Sequence, residues 1–92
     1  MNYIYLVTNK VNGKQYIGQT TRTVQDRWHR HIYDSFHLND NNLFHNAIKK
    51  YGEDSFEVSI VEEVENSHLL NERKNFIYNY IKHFILLDTT LL

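Results

Sequence analysis

Apolar and polar side chains alternate along the first 20 residues of the chain, on either side of an Asn12-Gly13 pair. Alternation with a period of two is typical of strands that have one buried face. Asn-Gly supplies the positive φ angles that a two-residue type I′ turn needs. The pattern therefore predicts a β-hairpin in which Val11 pairs with Lys14.

This register places two tyrosines on the same face of the hairpin. Tyr5 lies opposite Thr20, and Tyr16 lies opposite Asn9. Because successive side chains point to opposite faces, one face carries Tyr5, Val7, Asn9, Tyr16, Gly18 and Thr20, and the other carries Ile4, Leu6 and Ile17. A three-residue loop would invert the parity of one strand and separate the tyrosines.

A helix is predicted to follow the hairpin. Thr23, with Asp26 three residues later, is a variant of the capping box and indicates a helix that starts at about Val24. Apolar residues then recur every four positions, so the predicted buried stripe is Val24, Trp28, Ile32 and Phe36. Arg27 and His31 lie one turn apart on the neighbouring edge of this helix, from which they could face the tyrosines.

The remaining sequence predicts two more helices and a third strand. The polar run 39–42 precedes a helix that ends at Gly52. Residues 56–61 alternate as a strand does, and a last helix is expected to begin after Asn66 or Ser67 and to continue to about Phe84. The apolar faces of the two helices are Leu43, Phe44, Ala47, Ile48 and Tyr51, then Leu69, Leu70, Phe76, Ile77, Tyr80, Ile81 and Phe84. The predicted fold is α+β, with a mixed or antiparallel three-stranded sheet, made of the hairpin and the third strand, flanked by about three helices.

The composition limits the class of protein. With 92 residues, the chain is expected to form one domain, 1–92, with a modest core. The absence of cysteine excludes a disulfide framework and a zinc-thiolate site. The sequence has no signal peptide and no apolar run long enough to cross a bilayer, so we expect an intracellular protein without a membrane partner.

The net charge of −1 hides an asymmetry between the two halves of the chain. Residues 1–50 carry seven Lys or Arg against three Asp, whereas residues 51–92 carry three against eight acidic residues. Arg22, Arg27 and Arg30 are therefore expected to form a basic surface near the hairpin, as nucleic-acid binding requires. Lys49 and Lys50 are interpreted as ordinary solvated charges, because cations suit the last turn of a helix.

Three short motifs occur at a specific interval. They are YIY at residues 3–5, YIG at residues 16–18, and Arg27-x-x-x-His31. In this combination the chain resembles the GIY-YIG nuclease superfamily, with Tyr3 in place of the first glycine of the family's name. The runs LFHNAIKKYG and FEVSIVEEV are similar to the central helix and third strand of its phage homing-endonuclease branch.

The resemblance implies a magnesium-dependent DNA endonuclease that hydrolyses phosphodiester bonds. Its implied catalytic residues are Tyr5, Tyr16, Arg27 and His31. By the resemblance, Tyr5 orients or deprotonates the attacking water, and Tyr16 supports the phosphate and the base. Arg27 binds the phosphate, and His31 completes the hydrogen-bond network. A phenol has an ordinary pKa near ~10, so Tyr5 must be deprotonated in concert or have its pKa lowered by Arg27 and the metal. Arg22 and Arg30 are expected to contact DNA.

Two other histidines lie near the place where homing-type members carry a further catalytic histidine. We expect both His37 and His45 to be surface residues.

The last helix departs from the family. Its run Glu72-Arg73-Lys74-Asn75-Phe76 corresponds to a Glu-Arg-Glu-Asn-Phe pattern whose second glutamate binds magnesium. Lys74 occupies that place, and an ammonium cannot bind a cation. Glu72 points about 160° away around the helix axis and is a poor substitute. No metal ligand is therefore assigned in this chain, and Lys74 either snorkels or holds a phosphate.

Two explanations of Lys74 remain open, a deliberate Glu-to-Lys inactivation and a natural degenerate member of the family. Family chains also continue into a Gly-Tyr-Asn segment, so we expect that a C-terminal closing segment and a separate DNA-binding domain are missing. The tail 85–92, ILLDTTLL, is expected to leave a monomer or to support a weak dimer.

The sequence therefore favours an impaired endonuclease domain, of phage or bacterial type, that acts on DNA. One alternative is a non-catalytic nucleic-acid-binding or regulatory module on the same fold. Another is a purely structural interaction domain.

Overall fold

A computed structural model describes residues 1–38 and 42–82 of the chain. The described elements are β1 (Asn2–Asn9), β2 (Gln15–Thr20), α1 (Val24–His37), α2 (Leu43–Tyr51), β3 (Phe56–Val64) and α3 (Leu70–Tyr80), with short 3₁₀ helices at Glu53–Ser55 and Ser67–Leu69. The predicted α+β fold, with three strands and three helices, is confirmed. The predicted helical position of Phe84 and the tail 85–92, with its predicted role in a weak dimer, lie outside the described residues.

The three strands form one antiparallel sheet in the order β2-β1-β3. β1 is the central strand and is buried on both sides, since Ile4 and Tyr5 are both fully buried. Their side chains point to opposite faces of the sheet. The core is therefore divided into two clusters by this strand.

The predicted two-residue turn is wrong. The backbone N–H of Asn9 donates to the carbonyl of Lys14 at 2.8 Å, which leaves a loop of four residues, 10–13. Only Gly13 in this loop has a positive φ, of 76°. The side-chain oxygen of Asn12 instead accepts from the Lys14 N–H at 3.0 Å. A local side-chain hydrogen bond is an alternative to the left-handed conformation that a type I′ turn would require of an asparagine.

The longer loop moves the register but keeps the faces. Tyr5 lies opposite Gly18 rather than Thr20, and Val7 lies opposite Tyr16. Because the register moves by two residues, no side chain changes face. The prediction that Tyr5 and Tyr16 share one face of the sheet is confirmed.

Each face of the sheet packs against different helices. One cluster consists of Ile4, Ile17, Val64, Leu70 and Ile81, and joins the sheet to α3 and the residue after it. The other consists of Tyr5, Val7, Val24, Phe44 and Ile48, and joins the sheet to α1 and α2. The tyrosines therefore lie on the side of α1 and α2.

A bulge in the pairing of β1 with β3 changes the alternation along β3. The register shifts between Ile4 and Tyr5, which pair with Glu62 and Ile60 respectively. As a result Val58 packs with the cluster on the α1 side, whereas Val64 belongs to the cluster on the α3 side. Bulges add one residue to a strand and shift the faces of the residues beyond it.

The buried face of α1 differs from the prediction. Val24 is buried, but Phe36 at the end of the predicted stripe is 58% exposed. The buried positions in its place are His31 and Ser35, and the Ser35 hydroxyl donates to the His31 carbonyl at 2.6 Å. The helix is thus rotated toward its polar edge, because His31 has a hydrogen-bond partner in the sheet.

The predicted start of α1 is confirmed. The Thr23 side chain accepts from the backbone N–H of Asp26 at 3.1 Å, and the helix runs from Val24. Within the described residues, no helix is both long and apolar enough to cross a membrane.

The cap of α1 yields a stability prediction. Thr23→Ala should lower the free energy of unfolding by about 1 kcal/mol, because the Asp26 N–H loses its acceptor. Urea unfolding followed by circular dichroism measures this change. Thr21→Ala, at an exposed position outside the helix, is the matched control and should change stability little. Equal effects of the two substitutions would contradict the capping role.

Candidate active site

Tyr5 projects from the central strand into the space under α1. Its ring lies against Gly18 of β2, where an added Cβ would overlap the Tyr5 ring carbon and hydroxyl and would also crowd Tyr16. Glycine is therefore required at this position by the close approach of a ring rather than by a turn. Gly18, the last residue of the YIG motif, thus makes room for Tyr5, the second tyrosine of the YIY motif.

Tyr16 completes an aromatic group around the Tyr5 hydroxyl. The centroids of the two tyrosine rings are 6.2 Å apart. The Tyr16 ring stacks on Phe44 of α2 at 4.1 Å and meets the edge of His31 at 5.4 Å. The half-buried Tyr16 therefore contacts both α1, through His31, and α2, through Phe44.

His31 makes the central polar contact of the site. Its Nε2 lies 2.9 Å from the Tyr5 hydroxyl, and its side chain is buried. Burial lowers the pKa of His31 to about 4, and the charges of Arg27 and His45 act in the same direction, whereas Asp34 opposes them. The imidazole is therefore neutral at physiological pH, and one of its ring nitrogens is able to accept a hydrogen bond.

The pKa of Tyr5 departs from the sequence expectation. Burial raises it above the ordinary value for a phenol, and the neighbouring Tyr16 adds to this effect. Arg27 lowers the pKa of Tyr5, as predicted, but its effect is smaller than that of burial. Tyr5 is thus protonated in the free protein, and deprotonation in concert with another group is the consistent alternative.

His45 was missed by sequence reasoning. It was predicted to be a surface residue, but it is buried, and its Nε2 lies 3.1 Å from His31 Nδ1. His45 occupies the first turn of α2, and that turn packs against α1, so the ring enters the core. His37 is exposed, as predicted. A buried histidine next to the apolar Phe44 has no signal in the sequence that distinguishes it from an exposed one.

The predicted basic surface is present beside this network. A cleft of about 720 Å³ is lined by Thr20, Arg22, Asp26, Arg27, His29, Arg30 and Tyr33. All three arginines predicted to form a basic surface line it. Arg30 also forms an ion pair with Asp34 at 3.0 Å, whereas Lys49 and Lys50 are exposed at the end of α2.

Lys74 reaches the site from the opposite face of the sheet. It lines a smaller cleft of about 300 Å³ together with Tyr16, Ile17, Asn75 and Tyr78. Glu72 does not line this cleft, in agreement with the helical geometry. The neighbouring Arg73 is held by Glu62 of β3 through two hydrogen bonds of 2.7 and 2.8 Å, which lower the pKa of Glu62.

The residues around Lys74 do not fit a divalent cation. Magnesium prefers carboxylate oxygens, and the cleft offers two phenols, an amide and an ammonium. Within residues 1–38 and 42–82, no three His, Asp or Glu side chains form a group that could hold a metal ion.

The family model named GIY-YIG catalytic domain matches residues 1–84. The chain belongs to the GIY-YIG family. Two solved structures are similar over the whole chain. The catalytic domain of the homing endonuclease I-TevI has a TM-score of 0.74 and 26% identity, with 98% of that chain covered. A glutamate-to-alanine mutant of the catalytic domain of intron endonuclease I-TevI has a TM-score of 0.72 and 29% identity, with 100% of that chain covered.

Two curated viral proteins are similar in sequence. One, from Invertebrate iridescent virus 6, is named as MSV199 domain-containing protein 146R and is 36% identical over 83 residues, which are 85% of this chain and 33% of that protein. The other, from Enterobacteria phage T4, is named as endonuclease segE and is 34% identical over 67 residues, which are 72% of this chain and 28% of that protein. The chain thus spans about a third or less of the length of these relatives.

The buried state of His31 predicts a pH dependence of stability. Its pKa is about 4 in the folded protein and 6.5 ordinarily, so the unfolded chain binds more protons between these values. The free energy of unfolding is therefore unaffected by the titration of His31 above its ordinary pKa. As the pH falls toward 4, the free energy of unfolding decreases by on the order of 3 kcal/mol.

Chemical unfolding across this pH range measures the effect. His31→Gln should flatten the dependence of stability on pH, whereas His29→Gln, at an exposed position of the same helix, should leave it unchanged. An equally steep dependence in His31→Gln would contradict the assignment.

Proposed function

We propose that this chain is the catalytic domain of a DNA endonuclease of homing type, and that residues 1–92 act as one nuclease module. The observation that carries the proposal is the 2.9 Å contact between the Tyr5 hydroxyl and His31 Nε2, beside Arg27 and a cleft lined by arginines. A buried hydroxyl in contact with a neutral imidazole is able to pass on a proton. The arginines supply the charge that a phosphodiester requires.

In this proposal each residue has a distinct role. Arg27 binds the scissile phosphate and stabilises the charge that develops on its oxygens, which its planar set of donors suits. Tyr5 orients the attacking water and takes its proton while its own proton moves to His31. This concerted transfer is consistent with the raised pKa of Tyr5. Tyr16 supports the phosphate and the base.

DNA is the proposed partner because of the cleft beside α1. Arg22 and Arg30 line it together with Arg27, so a phosphate at Arg27 would place the adjoining backbone near both. An intracellular setting of phage or bacterial type is proposed on the similarity to the T4 protein.

Magnesium-dependent hydrolysis is proposed to be impaired in this chain. The position that the family resemblance assigns to the metal ligand is Lys74, and its surroundings offer no carboxylate. The same observation favours a second candidate function, a module on this fold that binds nucleic acid without cleaving it. In that case the Lys74 ammonium contacts a phosphate.

The DNA-binding role of Arg22 is tested by affinity at several salt concentrations. Arg22→Ala should weaken binding to duplex DNA and reduce the slope of log K against log salt by about 0.9, the value for one phosphate contact. Fluorescence anisotropy with labelled DNA measures both quantities. Lys49→Ala, an exposed cation at the end of α2, is the matched control and should leave the slope unchanged. An unchanged slope in Arg22→Ala would remove Arg22 from the interface.

The proposed nuclease activity is tested by placing an acidic residue at position 74 of α3. Lys74→Glu should increase nicking of plasmid DNA in the presence of magnesium by roughly tenfold or more, because a bound cation stabilises transition-state charge. Lys82→Glu makes the same charge change beyond the cleft and should have no such effect. The double variant Lys74→Glu, Arg27→Ala should again be inactive. If Lys74→Glu binds DNA but never nicks it, the binding module is the better description.

A further inference from the structure

His45 and His31 form a buried contact between the two helices that cover the tyrosines. His45 is 6% exposed, and its Nε2 lies 3.1 Å from His31 Nδ1. The backbone at this point is fixed, since the side-chain oxygen of Asn42 accepts from the N–H of His45 at 3.1 Å. The contact therefore joins the start of α2 to the middle of α1.

The two ring nitrogens of His31 have different partners. Nε2 faces the Tyr5 hydroxyl at 2.9 Å, and Nδ1 faces His45. A neutral imidazole carries one proton, so one nitrogen donates and the other accepts. Which nitrogen carries the proton is decided by the hydrogen bond that the other ring position makes. In this site the position of the proton on His31 determines whether its Nε2 accepts a hydrogen bond from the Tyr5 hydroxyl or donates one to it.

One tautomer of His31 allows Tyr5 to act as a base, and the other tautomer does not. If Nδ1 carries the proton, it donates to His45 Nε2, and His31 Nε2 accepts from the Tyr5 hydroxyl. If Nε2 carries the proton, His31 donates to the Tyr5 oxygen. A hydrogen bond donated by His31 at this 2.9 Å contact would then occupy a lone pair of the Tyr5 oxygen, and that oxygen must take a proton from water.

We propose that His45 is a positioning residue that holds His31 in the Nδ1-protonated form, so that Nε2 is the acceptor for the Tyr5 hydroxyl. The inference rests on the proposed role of Tyr5 as the group that activates water. His45 acts only through His31. In this respect His45 has the role that a hydrogen-bond acceptor has behind any histidine whose second nitrogen is used in chemistry.

The surroundings of the histidine pair support this reading. Asp34, which also influences His31, is held by its ion pair with Arg30 at 3.0 Å. The aromatic rings of Tyr16 and Phe44 lie within 5.4 and 4.9 Å of the His31 ring. A buried Nδ1–H in such a place needs an acceptor, and within the described residues His45 Nε2 is the ring nitrogen in contact with it.

The tautomer of His31 is measurable by nitrogen-15 NMR of the imidazole rings in the natural chain, without any cleavage assay. We expect His31 Nδ1 to be protonated and Nε2 to be unprotonated at neutral pH. In His45→Leu, which removes the acceptor, the Nε2-protonated form should become comparable in population or dominant. In His45→Gln, the amide oxygen is still able to accept, so His31 should keep its original tautomer. His37→Leu, at an exposed position of α1, is the control and should have no effect.

Each result decides the proposal. A natural chain with His31 protonated on Nε2 overturns it, and this measurement needs no variant that could misfold. A folded His45→Leu or His45→Gln protein that contradicts the expected tautomer also overturns it. Failure of Lys74→Glu to nick DNA concerns the catalytic assignment instead, so the two failures are distinguishable.

Discussion

The hydrogen bond between the Tyr5 hydroxyl and His31 is the interaction on which this site depends. A phenol that is fully buried in the central strand must have a polar partner, because an unpaired hydroxyl in the core destabilises the fold. Gly18 leaves room for the tyrosine ring, and α1 is rotated so that His31 rather than Phe36 faces the sheet. The tyrosine ring thus constrains the packing of β2 beside β1, and its hydroxyl contacts the buried side of α1.

Burial and charge act in opposite directions in this part of the molecule. Burial favours the neutral forms of Tyr5 and His31, and it outweighs the effect of Arg27 on the tyrosine. Tyr5 and His31 are therefore neutral groups beside a cationic cleft. Such an arrangement suits the movement of a proton, whereas the fixed positive charge of the arginines suits a phosphate. The two tasks are separated because the hydrogen-bonded groups lie inside the core and the arginines lie at its edge.

Lys74 lies apart from the buried contact between Tyr5 and His31. Tyr5, His31 and His45 lie on the side of the sheet covered by α1 and α2. Lys74 belongs to α3 on the other side, and it lines a cleft together with Tyr16, which packs against Tyr5. A change at position 74 therefore removes none of the described hydrogen-bond partners of Tyr5, His31 and His45. The fold tolerates a lysine there because its side chain lines an open cleft.

The sequence by itself determined the order of the elements, the shared face of the two tyrosines and the start of α1, because side-chain period and helix caps are local properties. The predicted turn was wrong, yet a register error of two residues cannot change a face. Only the tertiary structure decided that His45 is buried, that Phe36 is exposed and that the pKa of Tyr5 is raised. These depend on how two helices pack over a sheet, since burial and electrostatic environment arise from contacts between distant segments that no local pattern records.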